Sequence, residues 1–431
     1  MDISSIGKEM YKWGVDLFPL CRSITGNGVR KTFDYLKEII PDLETHEVPS
    51  GTKVLDWEVP LEWNVRDAYV TAPNGEKIID FKESNLHLLN YSLPFTGQVS
   101  YEELNEHLYS LPDQPNAIPY VTSYYNPKWG FCIEHARREQ LEKGIYGVKI
   151  DTELKSGFLT YGEVYIPGKK KKEILLSTYT CHPSMGNNEL SGIVLATSLA
   201  LWLSKQDDLE YSYRILFLPE TIGPITYISS HLEQLKENVI AGYVITCVGD
   251  NNTFSFMPSR KGNTLSDRVG KIILKKHYPN FKEYSYLNRG SDERQYCAPG
   301  VNLPIASIMR SKYSEYKEYH TSLDDMNFIS GEGLQGSFNV YTDCICLIEA
   351  NGIIEAQIIC EPQLGKRGLR SNLDGNKRLE VNSMLISNVL AYADGKMDCV
   401  DYLNLLDCSL DELLQTLELL KDQDLIKKSR L

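Results

Sequence analysis

The sequence predicts an α/β fold: a mostly parallel mixed sheet flanked by helices, with a small β-rich inserted domain and a C-terminal winged-helix module. Three observations carry that prediction. After Tyr146, short apolar runs (VKI, GEVYIP, EILLSTYT, YRILFLPE, AGYVITCVG, LPIASI) alternate with helical patterns, as strands covered on both faces do. Between residues 53 and 147 the texture changes to short segments rich in Tyr, Trp and Pro, among them DWEVPLEW and YSLPFTG. Beyond Cys360 a polar connection, GKRGLRSNLDGNK, leads into a stretch of helical periodicity that breaks the strand–helix alternation.

The elements follow in order. Residues 5–40 hold two helical patterns, the second opening after the Thr25-Gly26-Asn27-Gly28 turn and stopping at Pro41, and a strand follows around THEVP. Further helices are expected over Gly192–Leu203, from about Pro224 to Lys236, over Leu265–His277, and in a long segment ending near Ala350. At the C-terminus, VNSMLISNVLAYADG, MDCVDYLNLLD and SLDELLQTLELLKDQDLIKKS read as three short helices with a basic apolar end. The expected domains are 1–52 with 148–355, an insertion at 53–147, and the module at 356–431.

A chain of 431 residues that is 42 % hydrophobic is too long for one core and apolar enough to fold as several. Its formal charge of −13 argues against a polyanionic partner, because phosphate binding draws on clustered Lys and Arg. The end LKDQDLIKKSRL interrupts its few bases with Asp422 and Asp424, so protein contact or homo-oligomerisation is the expectation for the module, with nucleic acid unfavoured. No signal-peptide pattern and no uncharged apolar stretch of about 18 residues is present, so a cytoplasmic protein off the membrane is expected. The ten scattered cysteines, without a CxxC pair, read as reduced thiols.

The sharpest chemical signal is EILLSTYTCHPSMGNNELSG, where an apolar strand ending at Thr180 delivers His182 at its carboxyl end. Ligands bind at that edge in open α/β sheets. Asn187, Asn188 and Glu189 precede Ser191-Gly192 and can point an oxygen back toward His182, or simply cap the next helix. Glu220 ends the YRILFLPE strand, where a carboxylate can hold or deprotonate a metal-bound water, although such a residue is usually just solvated. His320 follows Tyr319 in a loop, and its weight comes from order: His, Asn/Glu, Glu, His, each at a strand-to-helix junction. Asp250 is a less favoured ligand whose plain reading is a turn residue.

In NRGSDERQY, Asp292 and Arg294 could meet a substrate terminus through charge-assisted bonds, or form a surface ion-pair loop. Tyr120, Tyr124, Tyr125, Trp129 and His135 could wall a cleft, although aromatics in a small β domain more often form its own core. A third reading makes Cys181 a nucleophile, but neighbours on a strand point to opposite faces, so Cys181 and His182 are not expected in one pocket.

The order of these residues resembles the co-catalytic zinc aminopeptidase family over about residues 5–50 and 150–350, with Tyr319-His320-Thr321 and Ser191-Gly192 the most specific matches. More closely, the chain is similar to a bacterial family of aminopeptidase-like proteins with an inserted domain and a C-terminal winged helix. FPLCRSITGNGVR, SLPDQPNAIPYVTSYY, TCHPSMGNNELSG, LPETIG and EPQLGKRG carry that similarity. The resemblance implies His182 and His320 as metal ligands, Glu220 as general base, and Asn188 where a bridging aspartate stands. Thr221 falls at the second glutamate and Thr246 or Cys247 at the remaining aspartate.

An amide cannot bridge two dications and threonine is a poor zinc ligand. One zinc ion is therefore expected, on His182, His320 and Glu189, with Glu220 activating water and Asn188 and Asp250 as further ligands or supporting groups. Glu189 and Glu220 could exchange these roles. Tyr319, Asp292 and Arg294 are the expected substrate contacts. The implied function is a zinc-dependent aminopeptidase-type hydrolase of a peptide, amide or amino-sugar substrate. The alternative is a binding or regulatory protein that keeps the fold with a reduced ligand set.

Overall fold

The computed structural model describes residues 5–369 and 383–429. The latter part of the polar connection GKRGLRSNLDGNK, the start of VNSMLISNVLAYADG and the last two residues lie outside the described residues.

The chain divides into two compact units, one of residues 1–266 with 282–338 and one of residues 267–281 with 339–431. The first is built on an eight-stranded mixed sheet. In spatial order its strands are Glu44–Pro49, Phe158–Ile166, Tyr211–Leu218, Lys170–Tyr179, Val239–Val244, Ile305–Met309, Ser255–Met257 and Lys282–Glu283. The four central strands pair in parallel, and the strands beyond Tyr211–Leu218 on one side pair antiparallel. Tyr211–Leu218 and Ile305–Met309 are buried at every residue, which is why they read as unbroken apolar runs rather than alternations.

Helices Ile6–Leu17, Asn27–Ile39, Ser191–Leu203 and Ile222–Asn238 belong to this unit. Ser191–Leu203 is apolar almost all round and buried from Ser191 to Ala200, so it lies inside rather than on the surface. Its start needs Gly192: a Cβ there would stand 2.5 Å from the Ile245 carbonyl oxygen and 2.5 Å from Thr178 Oγ1.

A second, four-stranded antiparallel sheet runs in the order Lys77–Asp80, Glu62–Thr71, Ile145–Lys155 and Phe95–Ser100. The VKI run, read from sequence with the large sheet, lies in the middle of Ile145–Lys155 and pairs within this smaller one. Alternating burial along that strand fits both sheets equally, so pattern alone misassigns it. Trp129 stacks on His107 and Phe95, with ring centres 3.6 and 4.3 Å away, and so packs against its own neighbourhood.

The second unit contains a three-stranded sheet, Asp394–Asp398, Ile353–Ala356 and Ile426–Ser429, with helices Ser383–Ala391, Cys399–Leu405 and Leu410–Asp422. Asp398 and Ser409 each open a helix with a reciprocal capping box. Asp398 also takes a two-pronged bond from Arg268, 2.7 Å to each oxygen, and a third from Asn351. Burial alone would raise the Asp398 carboxyl, but the bonds from Arg268, the Asp401 amide and Asn351 outweigh it and hold it below its ordinary 3.8. A depressed carboxylate contributes stability above its unfolded value and loses it as pH falls through the folded one. The thermal stability of this unit is therefore expected to fall below about pH 4, and Asp398→Asn to flatten that dependence when followed by circular dichroism.

None of the ten cysteines, all of them among the described residues, forms a disulfide. Among the described residues no helix is long and apolar enough to cross a membrane.

Candidate metal centre

The Lys170–Tyr179 strand ends just before His182, and the chain leaves the sheet there. Strict alternation therefore no longer applies, and Cys181 and His182 turn the same way, Sγ lying 3.5 Å from Nδ1. The expectation that they point apart is corrected by that early strand end. Burial and the charges of Glu189 and Glu220 push the Cys181 thiol well above its ordinary value, which keeps it protonated and unsuited to nucleophilic attack.

His182 Nδ1 lies 2.8 Å from Glu189 Oε2. An ionised carboxylate only accepts, so Nδ1 carries the proton and Nε2 is left free. Glu189 Oε1 is 3.3 Å from Arg22 Nε, and both side chains are fully buried. Arg22 also donates to the carbonyl oxygens of His182 and Leu17, at 3.0 and 2.9 Å. Burial lowers His182, but the bond and charge of Glu189 and the charge of Glu220 more than offset it, leaving the imidazole above its ordinary value. Glu189 sits in a π-helical turn, Gly186–Leu190, whose amides of Asn187 and Asn188 donate to the buried Asp324 carboxylate.

On the other nitrogen's side stands Glu220, its Oε2 3.7 Å from His182 Nε2. Ser291 Oγ donates to Glu220 Oε1 at 3.1 Å, and the Glu220 amide points at Cys181 Sγ. Burial raises the Glu220 carboxyl above its ordinary range, with His182 and Arg294 pulling it partly back. Asp292, wholly buried, accepts from the Thr221 amide at 2.8 Å, and Arg294 donates to Thr221 Oγ1 at 2.7 Å.

The imidazoles of His182 and His320 have ring centres 5.4 Å apart. Two imidazoles on one tetrahedral zinc, with Zn–N near 2.0–2.1 Å, bring ring centres roughly 5 Å apart, so this spacing admits a shared cation. His320 Nε2 is buried and without a hydrogen-bond partner. Burial, then the charge of His182, lowers His320 to about 3, which leaves a neutral ring with a lone pair to give. An orphaned nitrogen in a neutral ring is what a metal-ligand site requires, so the residues fit a cation.

The segment around Tyr120 covers this centre. The Tyr120 ring lies 5.1 Å from each imidazole, and its hydroxyl shares a 2.7 Å hydrogen bond with that of Tyr124. The Tyr120 amide donates to the His320 carbonyl, and Ser322 and Ile118 exchange further bonds. Pro119 and Thr321 form an isolated antiparallel bridge. Of the other aromatics named from sequence, Tyr125 is exposed and His135 bonds Ser110.

The remaining sequence candidates separate clearly. Asn188 Oδ1 accepts from Tyr179, whose ring is 5.2 Å from His182, while Asn188 Nδ2 is buried without a partner. Asp250 is enclosed by donors from Asn187, Asn252 and both the amide and hydroxyl of Ser311, which accounts for its carboxylate by local structure. Tyr319 stacks on His320 at 3.9 Å. Thr246 Oγ1 is bonded to Tyr179, and Thr221 is taken by Asp292 and Arg294. Sequence alone does not single out Arg22, Tyr179, Asp324 or Ser291. Only Arg22 had a signal, a charge inside the apolar stretch FPLCRSI.

Four non-glycine residues around the centre have left-handed backbones: Ser184 (φ 46°), Thr221 (φ 67°), Cys247 (φ 54°) and His320 (φ 55°). Strain of this kind gathers at functional sites.

Residues 11–351 match the profile of a domain of unknown function, DUF4910, and residues 353–428 a winged helix-turn-helix, HTH_47. The chain belongs to the DUF4910 family. A member-like relative from Clostridium acetobutylicum, named "Putative polysaccharide biosynthesis protein with aminopeptidase-like domain", is 45 % identical over 92 % of this chain and 91 % of its own. A crystal structure of a "putative peptidase" from the same organism is 42 % identical, with TM-score 0.93 over 99 % of this chain and 98 % of that one.

BSAP, a zinc aminopeptidase from Bacillus subtilis, shares the fold at 12 % identity and TM-score 0.57 over 79 % of this chain and 94 % of its own. This DUF4910 chain is thus an aminopeptidase-like protein with a C-terminal winged helix.

Proposed function

We propose that the protein is a metal-dependent hydrolase of the aminopeptidase type, cleaving an amide bond of a peptide or amino-sugar substrate. The observation that supports this best is the pair of imidazoles, His182 and His320, ring centres 5.4 Å apart, with the orphaned Nε2 of His320 between protein groups that give it no partner. His182 through Nε2 and His320 through Nε2 would hold one zinc ion, which when bound supplies Lewis-acid polarisation of the scissile carbonyl.

Glu220 takes the proton from the attacking water and returns it to the leaving amine. Glu189 orients His182 through Nδ1 and strengthens its donor nitrogen, as carboxylates behind metal-binding histidines do. An ion on the other side, among Cys181, His182 Nδ1 and Glu189, brings three ligand atoms within 4.8 Å of one another. Arg22 already answers the Glu189 charge, so that side is the poorer one. Of the two roles open to the acidic pair, the geometry favours Glu220 at the reacting centre.

The relative's name brings amide-bearing sugars into the substrate panel beside peptides. The lack of disulfides among the described residues is in keeping with a cytoplasmic setting. The winged-helix unit exposes Asp411, Glu412 and Glu418 on its Leu410–Asp422 helix, which favours a protein partner, including a second copy, over nucleic acid.

Zinc analysis tests the centre. Protein purified without a histidine tag is expected to carry about one zinc per chain, lost in both His182→Ala and His320→Ala while the fold is kept. A second reading, a binding protein that has kept the fold and lost the metal, draws on Asn188, Thr221 and Thr246, whose side-chain oxygens are engaged by neighbouring side chains. A folded, metal-free wild type that takes up no added zinc would decide for it.

A further inference from the structure

We propose that Asp292, assisted by Arg294, is a positioning residue: it holds the turn after Glu220 in a strained form that fixes where the Glu220 carboxylate lies. The inference rests on Glu220 as the catalytic carboxylate. Thr221 has φ 67° and ψ −68°, and the Ile222 amide donates to the Glu220 carbonyl at 2.8 Å. Together these define a γ-turn of the rare, strained hand. A β-branched residue is a costly occupant of that conformation, so surrounding groups must impose it.

Those groups come from one segment, Ser291 to Arg294. Asp292 Oδ1 accepts the Thr221 amide at 2.8 Å, and Arg294 Nη2 donates to the Thr221 hydroxyl at 2.7 Å. Ser291 Oγ reaches the Glu220 carboxylate itself. The segment is fixed in turn by Glu293 Oε1, which accepts the amides of Gly290 and Ser291 and the Tyr313 hydroxyl. Asp292 is 0 % exposed, and the hydrogen bond its carboxylate makes at this corner is the one from the Thr221 amide. Gly223 tightens the same corner: a Cβ there would stand 2.7 Å from Leu218 Cβ. Threonine at the strained position keeps the hydroxyl that Arg294 grips, which glycine would forfeit.

Two measurements on the full-length protein test this. The first is a thermal-unfolding cycle of Asp292→Ala, Thr221→Gly and the double variant. Asp292→Ala lowers the midpoint, and the drop is expected to shrink to less than half in the Thr221→Gly background, where no strain is left to hold. An equal drop in both backgrounds overturns the proposal.

The second uses leucine p-nitroanilide as probe. Asp292→Ala is expected to lower kcat on the order of 100-fold, as a displaced catalytic group does, with KM little changed. Asp292→Asn, which keeps an acceptor for the Thr221 amide, should recover most of the rate and also folds if the alanine variant does not. Equal loss in Asn and Ala, or a change in KM alone, counts against a positioning role. A wild type that leaves the anilide untouched argues against the hydrolase reading, while the unfolding cycle still decides the clamp.

Discussion

Replacing Glu220 by Gln lowers kcat by about 10²- to 10⁴-fold, the range lost with a general base, while zinc content stays at the wild-type level. The amide keeps the size of the side chain and its bond to Ser291, so binding of substrate changes little and the loss falls on the chemical step. Measuring metal by mass spectrometry beside steady-state rates separates base from ligand. If the Gln variant loses its zinc, Glu220 belongs to the coordination sphere instead.

Arg22→Met is expected to destabilise the protein by about 3–5 kcal/mol, the cost of leaving one half of a buried ion pair alone. Arg22 and Glu189 have no solvent exposure, and Arg22 also satisfies two carbonyls, those of His182 and Leu17. Denaturant unfolding of Arg22→Met, Glu189→Gln and the double variant reads the coupling. The double variant should cost less than Arg22→Met alone, because no uncompensated charge remains. If Arg22→Met alone is neutral, the guanidinium does not hold the Glu189–His182 pair.

The parallel part of the fold was legible because strands buried on both faces leave continuous apolar runs, and their ends announce His182 and Glu220. Leu265–His277 has the same bounds in sequence and structure for a related reason, a clear amphipathic period. The Ile145–Lys155 strand was not assignable, since half-buried strands of any sheet alternate alike. Side-chain partnership was hidden as well. Sequence spacing places Glu189 near His182 but does not say that Arg22, far upstream, turns Glu189 toward Nδ1. Nor does a Ser-Asp-Glu-Arg string disclose that its atoms grip the backbone beside Glu220.

The backbone pairing between Pro119–Tyr120 and His320–Thr321 gives the segment around Tyr120 a share in the histidine's own loop. Trimming the chain to its α/β frame would thus discard more than a decorative appendage. It would strip one histidine of its scaffold and open the centre to bulk water, so any minimal version of this protein must carry the segment around Tyr120 with it.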